Sequence, residues 1–87
     1  MSTPAVADIL RTVTEIATAE IGVPAAELGS DVDLRGVAGV DSVRVLRMVA
    51  RIERVYDIEL DDQDVFGMST LADVAAVVHT ALAEVPA

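Results

Sequence analysis

Apolar positions recur at helical spacing in three stretches of this chain. In the first, Val6, Ile9, Leu10, Val13, Ile16 and Ala17 fall on one face, which predicts a helix over residues 4–21. Thr3 can cap it, Pro4 suits a first helical position, and Gly22 with Pro24 ends it. In the second, Val45, Val49, Ile52 and Tyr56 share a face flanked by Leu46 and Met48. That predicts a helix over 42–56 with Asp41 as its N-cap. In the third, Leu71, Val74, Ala75, Val78 and Leu82 mark a helix over 70–84, with Pro86 just beyond it. Thr70 and Asp73 have the spacing of a capping box. Between the second and third helices, 57–60 reads as a short extended link. A brief helical turn from Asp61 or Asp62 to Phe66 follows, broken by Gly67.

The connection over 22–41 is long for a compact domain. It holds four of the five glycines, Gly22, Gly29, Gly36 and Gly39. Its apolar points, Val23, Leu28, Val32, Leu34, Val37 and Val40, predict a loop packed onto the helices. Such loops tend to lie on the functional side of a domain. The expected architecture is all-α, a small bundle of three main helices plus one short helix with a long first loop. One domain is expected over residues 1–87.

Charge and composition narrow the range of functions. Fifteen acidic residues face six arginines and no lysine, for a net charge of −9, yet 53% of residues are hydrophobic. This is the profile of a folded acidic domain and not of an acidic tail. It disfavours nucleic acid and anionic membrane as partners and favours protein surfaces. One Tyr, one Phe and no Trp leave no platform for stacking bases. A small DNA-binding helical domain is therefore a poor reading. No apolar run is long enough to cross a bilayer, and the N-terminal residues lack the pattern of a signal peptide. With no cysteine, a disulfide, a thiolate nucleophile and a zinc-thiolate site are all excluded. A reducing, cytoplasmic setting fits that composition.

No catalytic residues and no metal ligands emerge. A nucleophile elbow at Ser42 needs glycines two residues either side, where Val40 and Arg44 stand. An EF-hand counted from Asp57 would need glycine at Asp62 and glutamate at Met68. The acidic run 57–64 reads as a solvated link. His79 is a lone surface or boundary residue. For an Asp-Ser pair by itself, the helix start is explanation enough.

The wider register adds to it. Gly39-Val40-Asp41-Ser42-Val43 resembles the attachment motif of acyl carrier proteins, in which Gly-x-Asp-Ser precedes an apolar residue. Ile52-Glu53 and Tyr56 resemble that family's apolar-Glu and aromatic positions late in the second helix. Asp57-Ile58-Glu59-Leu60 resembles its link, Asp61-Asp62 its third-helix start, and Ser69-Thr70-Leu71 the start of its last helix. Upstream, Leu28 and residues 31–34 are similar to its packed first loop. The resemblance implies that 4'-phosphopantetheine is attached to Ser42, with Asp41 beside it, by a phosphopantetheinyl transferase. It also implies that acyl-loading and acyl-transfer enzymes are the partners and do the chemistry. A phosphodiester there would lie at a helix N-terminus, where unpaired N–H groups and the dipole favour an anion.

The second helix departs from the family's usual acidic character. Arg44, Arg47, Arg51 and Arg54 fall within a stripe roughly 80° wide at about 100° per residue, opposite the apolar face. One reading is a solvated face whose long side chains cover apolar edges. The reading preferred here is a recognition surface, together with Val43, for partners that present acidic residues. It points away from fatty-acid synthesis. The expectation is a free-standing, monomeric carrier of polyketide, lipopeptide or related specialised biosynthesis. A peptidyl or aminoacyl carrier and a fatty-acid synthesis carrier are the neighbouring alternatives. A cofactor-free helical adaptor that binds through the arginine stripe is the alternative from another class.

Overall fold

In the computed structural model, which describes residues 3–37 and 40–84, the chain folds into α1 (Val6–Ile21), α2 (Ser42–Tyr56), α3 (Asp62–Gly67) and α4 (Leu71–Glu84). Gly39 and Pro86 lie outside the described residues. The described residues contain no strand, so the all-α expectation holds. α1 packs against both α2 and α4. The core is built from Ile9, Val13, Ile16 and Ala17 of α1, Met48 and Ile52 of α2, and Leu71, Val74, Ala75 and Val78 of α4.

α1 begins later than its sequence suggests. Its N-cap is Ala5, in extended backbone and with no side-chain cap, so neither Thr3 nor Pro4 serves as expected. The N–H groups of Asp8 and Ile9 donate to the Ala5 carbonyl at 3.0 and 3.1 Å. The physical reason is the lack of anything to bury there: Val6 is 43% exposed, and the core starts at Ile9. The other end is as expected. Gly22 takes φ 80°, and its N–H donates to the Thr18 carbonyl at 2.9 Å.

The long loop is packed, as its apolar points predict. Leu28 and Leu34 are buried in the core, with Val23, Val37 and Val40 packed against it. Two short 3₁₀ turns, Ala25–Glu27 and Leu34–Gly36, shape the loop. They are too short for periodicity to reveal. Two backbone hydrogen bonds fasten the loop to the start of α4: Leu34 N–H to Ser69 O at 2.8 Å, and Ala72 N–H to Ser30 O at 2.9 Å.

α2 has the predicted bounds, but its buried face is rotated. Met48, Val49 and Ile52 are buried, whereas Val45 and Tyr56 are half-buried and Leu46 is 60% exposed. Asp57 ends the helix in the left-handed region at φ 55°, a conformation aspartate tolerates better than most residues. The link then returns to the helix. Ile58 is buried, and the Leu60 N–H donates to Glu53 Oε2 at 2.9 Å. Glu53 thus holds the link against the helix it follows. α3 buries none of its residues, and Gly67 is its last residue where the sequence predicts a break after Phe66.

Thr70 and Asp73 form a reciprocal cap at the start of α4. Asp73 N–H donates to Thr70 Oγ1 at 3.1 Å, while Asp73 Oδ2 accepts from Ser69 N–H at 3.0 Å and Thr70 N–H at 3.2 Å. The two backbone N–H groups hold the Asp73 carboxyl below its ordinary value of 3.8. Its stabilising contribution is therefore complete only well above the ordinary value of 3.8, and it is lost as pH falls through the lower folded value. Urea unfolding of the parent and Asp73→Asn should show the parent's advantage shrinking between about pH 5 and about pH 2. A difference that stays constant over that range contradicts this role for the carboxylate.

Candidate functional site

Ser42 is the first residue of α2 and is exposed to solvent. Asp41 before it is extended, at φ −134° and ψ 172°, and caps the helix as expected. Its Oδ1 accepts the Arg44 N–H at 2.8 Å, and its carbonyl accepts the Val45 N–H at 3.0 Å. Those two bonds leave the N–H groups of Ser42 and Val43 without an acceptor among the described residues. An anion attached through the Ser42 hydroxyl would meet both of these donors and the positive end of a 15-residue helix. Asp41 adds a negative charge nearby, offset in part by the Arg44 guanidinium, whose Nε stands 3.9 Å from Asp41 Oδ2.

A groove of about 440 Å³ opens beside Ser42 between α2 and α3. Val40, Val45, Leu46, Val65 and Phe66 line it, along with Asp41 and Ser42, and Arg35 is its one cation. Three exposed apolar side chains lie in this region: Val43 at 56%, Leu46 at 60% and Phe66 at 86%. A hydroxyl at a helix N-terminus, next to an apolar groove, fits a phosphodiester that continues into a long flexible arm. When bound, phosphopantetheine supplies the terminal thiol that holds an acyl group as a thioester, a thiol this cysteine-free chain lacks.

The residues that sequence alone offers as a lining for an acyl chain, Leu46, Val49, Ala50, Leu60, Met68 and Leu71, do not form that groove. Only Leu46 lines it. Leu71 and Val49 are buried in the helix packing, and Ala50 faces outward on α2. Sequence reasoning passed over Arg35 and gave Phe66 no role. Phe66 carries a faint signal, as the only phenylalanine in the chain. Arg35 carries none, because its place depends on the loop. Its backbone N–H and its Nε both donate to Asp33 Oδ1, and Nη2 donates to Ser69 Oγ at 3.0 Å. The paired Asp33 carboxyl is held below its ordinary value by these Arg35 bonds.

The four arginines of α2 do not behave alike. Arg44 Nη1 donates to the carbonyls of Ile21 at 2.9 Å and Glu20 at 3.4 Å. α1 has no basic residue in its own last turn, so Arg44 completes that helix end from outside. Arg51 pairs with Glu20 at 3.3 Å. Arg47 and Arg54 are exposed and have no polar partner among the described residues. The stripe therefore runs along the seam between α1 and α2, and does not stand wholly apart from the packing.

Comparison with known proteins agrees with this arrangement. The family described as "Phosphopantetheine attachment site" matches residues 6–78, from the start of α1 into α4. An acyl carrier protein of Exiguobacterium sp. (strain AT1b) is 31% identical over 74 residues, covering 85% of this chain and 94% of the relative. An acyl carrier protein of Prochlorococcus marinus (strain MIT 9515) is 28% identical over 72 residues, covering 83% and 90%. Taken with the helix order and the serine that opens α2, these matches identify the chain as a member of the acyl carrier proteins, phosphopantetheine-bearing carriers that are not themselves catalysts.

Proposed function

We propose that Ser42 carries the phosphopantetheine arm and that the chain presents acyl intermediates from it to enzymes of a specialised pathway, such as polyketide or lipopeptide biosynthesis. The observation that carries this reading is the position of Ser42: solvent-exposed, first in α2, beside the apolar groove and two backbone N–H groups that have no acceptor among the described residues. Asp41 fixes the helix start that presents the hydroxyl. Three features leave Ser42 accessible without disturbing the core. The loop is fastened to α4, Arg44 ties the first turn of α2 to the end of α1, and the buried face of α2 points away.

The chain supplies shape and charge, and visiting enzymes supply the catalysis. A phosphopantetheinyl transferase and acyl-handling enzymes must all approach the same helix start. Val43 and the arginines of α2 lie on that approach, which supports reading them as partner contacts. The arginine-bearing face in a chain of net charge −9 supports a specialised pathway over fatty-acid synthesis. A monomer suits this role, since nothing in the reading requires a second copy.

The test is a two-step loading experiment. Incubation with coenzyme A and a broad-specificity transferase should add one phosphopantetheine. A subsequent acyl group should be released by neutral hydroxylamine, as a thioester is. A chain that gains no mass from the transferase, or holds its acyl group against hydroxylamine, contradicts the reading.

A further inference from the structure

We propose that Arg35 orients the phosphopantetheine arm, donating to an amide carbonyl of the arm and so laying it along the groove between α2 and α3. The proposal rests on the carrier reading, because it needs the arm on Ser42.

Arg35 is mounted by the loop and not by the helix that bears the serine. It is the middle residue of the 3₁₀ turn Leu34–Gly36, and Leu34 beside it is buried in the core. That burial fixes the point from which the side chain starts. The guanidinium is then gripped along one edge. Nε donates to Asp33 Oδ1 at 3.2 Å, and Nη2 donates to Ser69 Oγ at 3.0 Å and more distantly to Asp33 Oδ2 at 3.5 Å. The planar fork is therefore oriented before any ligand arrives, which lowers the entropy lost when a further acceptor binds. The N–H groups of Nη1 have no acceptor among the described residues. Asp33 also balances the charge, so this guanidinium suits a neutral carbonyl better than a second anion.

The other side chains of the groove leave this role to Arg35. Val40, Val45, Leu46, Val65 and Phe66 offer apolar contact alone. An aspartate carboxylate such as that of Asp41 only accepts, and the Ser42 hydroxyl is spent on the attachment. The arm divides in matching fashion. Its methyl-bearing section suits the apolar walls, whereas its two amides need polar partners wherever water is displaced. Arg35 is the side-chain donor that the groove provides for them. The phosphodiester has the N-terminus of α2 instead. None of the arginines of α2 lines this groove, so an arm held by Arg35 lies apart from them.

The experiment compares the unmodified chain with the chain loaded from ¹³C-labelled coenzyme A and left without an acyl group. Intact mass confirms the loading. Nuclear Overhauser cross-peaks should join the methyl groups of the arm to the side chains of Val45, Val65 and Phe66. Arg35→Ala should weaken them about threefold or more and move the ¹³C resonance of one arm carbonyl, as the loss of one hydrogen bond would. Arg35→Lys keeps a donor but not the fork, and should fall between. Ser69→Ala separates this role from a structural one. It removes the side-chain tie between the loop and the start of α4 but keeps the guanidinium, so the cross-peaks should persist. Helicity by circular dichroism should match the parent in all three; if Arg35→Ala loses it, the weakening in Arg35→Lys or its absence decides. Four results would overturn the proposal: no cross-peaks between arm and groove in the loaded parent; equal losses in Ser69→Ala and Arg35→Ala, which would make Arg35 a tie of the loop alone; a change in Arg35→Ala confined to the ³¹P resonance, which would make it a phosphate contact; or cross-peaks that arise only after acylation, which would move the role to the cargo. A chain that gains no mass refutes the carrier reading and this proposal together, whereas a loaded chain without the cross-peaks refutes this proposal alone.

Discussion

Ser42→Ala should fold like the parent and take up no phosphopantetheine. The Ser42 side chain makes no hydrogen bond among the described residues and is exposed, so its removal costs the fold little. The cap that starts α2 belongs to Asp41, which keeps its bond to the Arg44 N–H. Alanine is a good helix former, and the variant should unfold within about 0.5 kcal/mol of the parent. The loss of modification, by contrast, should be complete, because the attacking hydroxyl is gone. Intact mass after transferase treatment reads one outcome and a urea curve the other. Residual modification of a folded Ser42→Ala chain would move the attachment elsewhere, with Ser30 and Ser69 the first candidates.

The second large effect concerns stability. Ile52 is fully buried between α2 and the rest of the core. Ile52→Ala should cost about 2–5 kcal/mol, from lost transfer free energy and the cavity left behind. A domain of this size has a total stability of about 5–15 kcal/mol, and small cores sit towards the lower end. The variant should thus be partly unfolded at moderate urea, where the parent is folded, with the midpoint read by circular dichroism. A loss below about 1 kcal/mol would contradict a tightly packed core around Ile52.

Much of this molecule was legible in its sequence, and the limits are physical. Helices with an apolar stripe and a stop signal announced themselves: Gly22 ends α1, Asp41 starts α2, and Thr70 with Asp73 starts α4. Thr3 and Pro4 are good local signals for a helix start, yet the first turn has nothing to pack against, and α1 begins at Val6. On α2 the periodic face was offset by a residue or so. Leu46 and Met48 looked equivalent as flanking positions, and only the positions of α1 and α4 decide that Met48 goes in and Leu46 stays out.

The site divides in the same way. Its proposed attachment point, Ser42 after Asp41, sits at a helix boundary and is a local feature. The groove beside it joins Val40 and Arg35 of the loop to Val65 and Phe66 of α3, a juxtaposition no periodicity encodes. The arginine stripe was visible as a pattern, but its division was not. Arg44 and Arg51 are distinguished from Arg47 and Arg54 only by where α1 ends, because Glu20 and Ile21 take up the first pair. Glu53 is a similar case: its role in holding the Leu60 N–H requires the chain to turn back at Asp57.

Trypsin provides a direct reading of where the arm is attached. Cleavage after Arg35 and Arg44 releases residues 36–44, a peptide in which Ser42 is the only hydroxyl-bearing residue. After treatment with coenzyme A and a transferase, mass spectrometry should find that peptide heavier by one phosphopantetheine and every other peptide unchanged. An unmodified 36–44 peptide, with the added mass on a fragment containing Ser30 or Ser69, would contradict the assignment of Ser42.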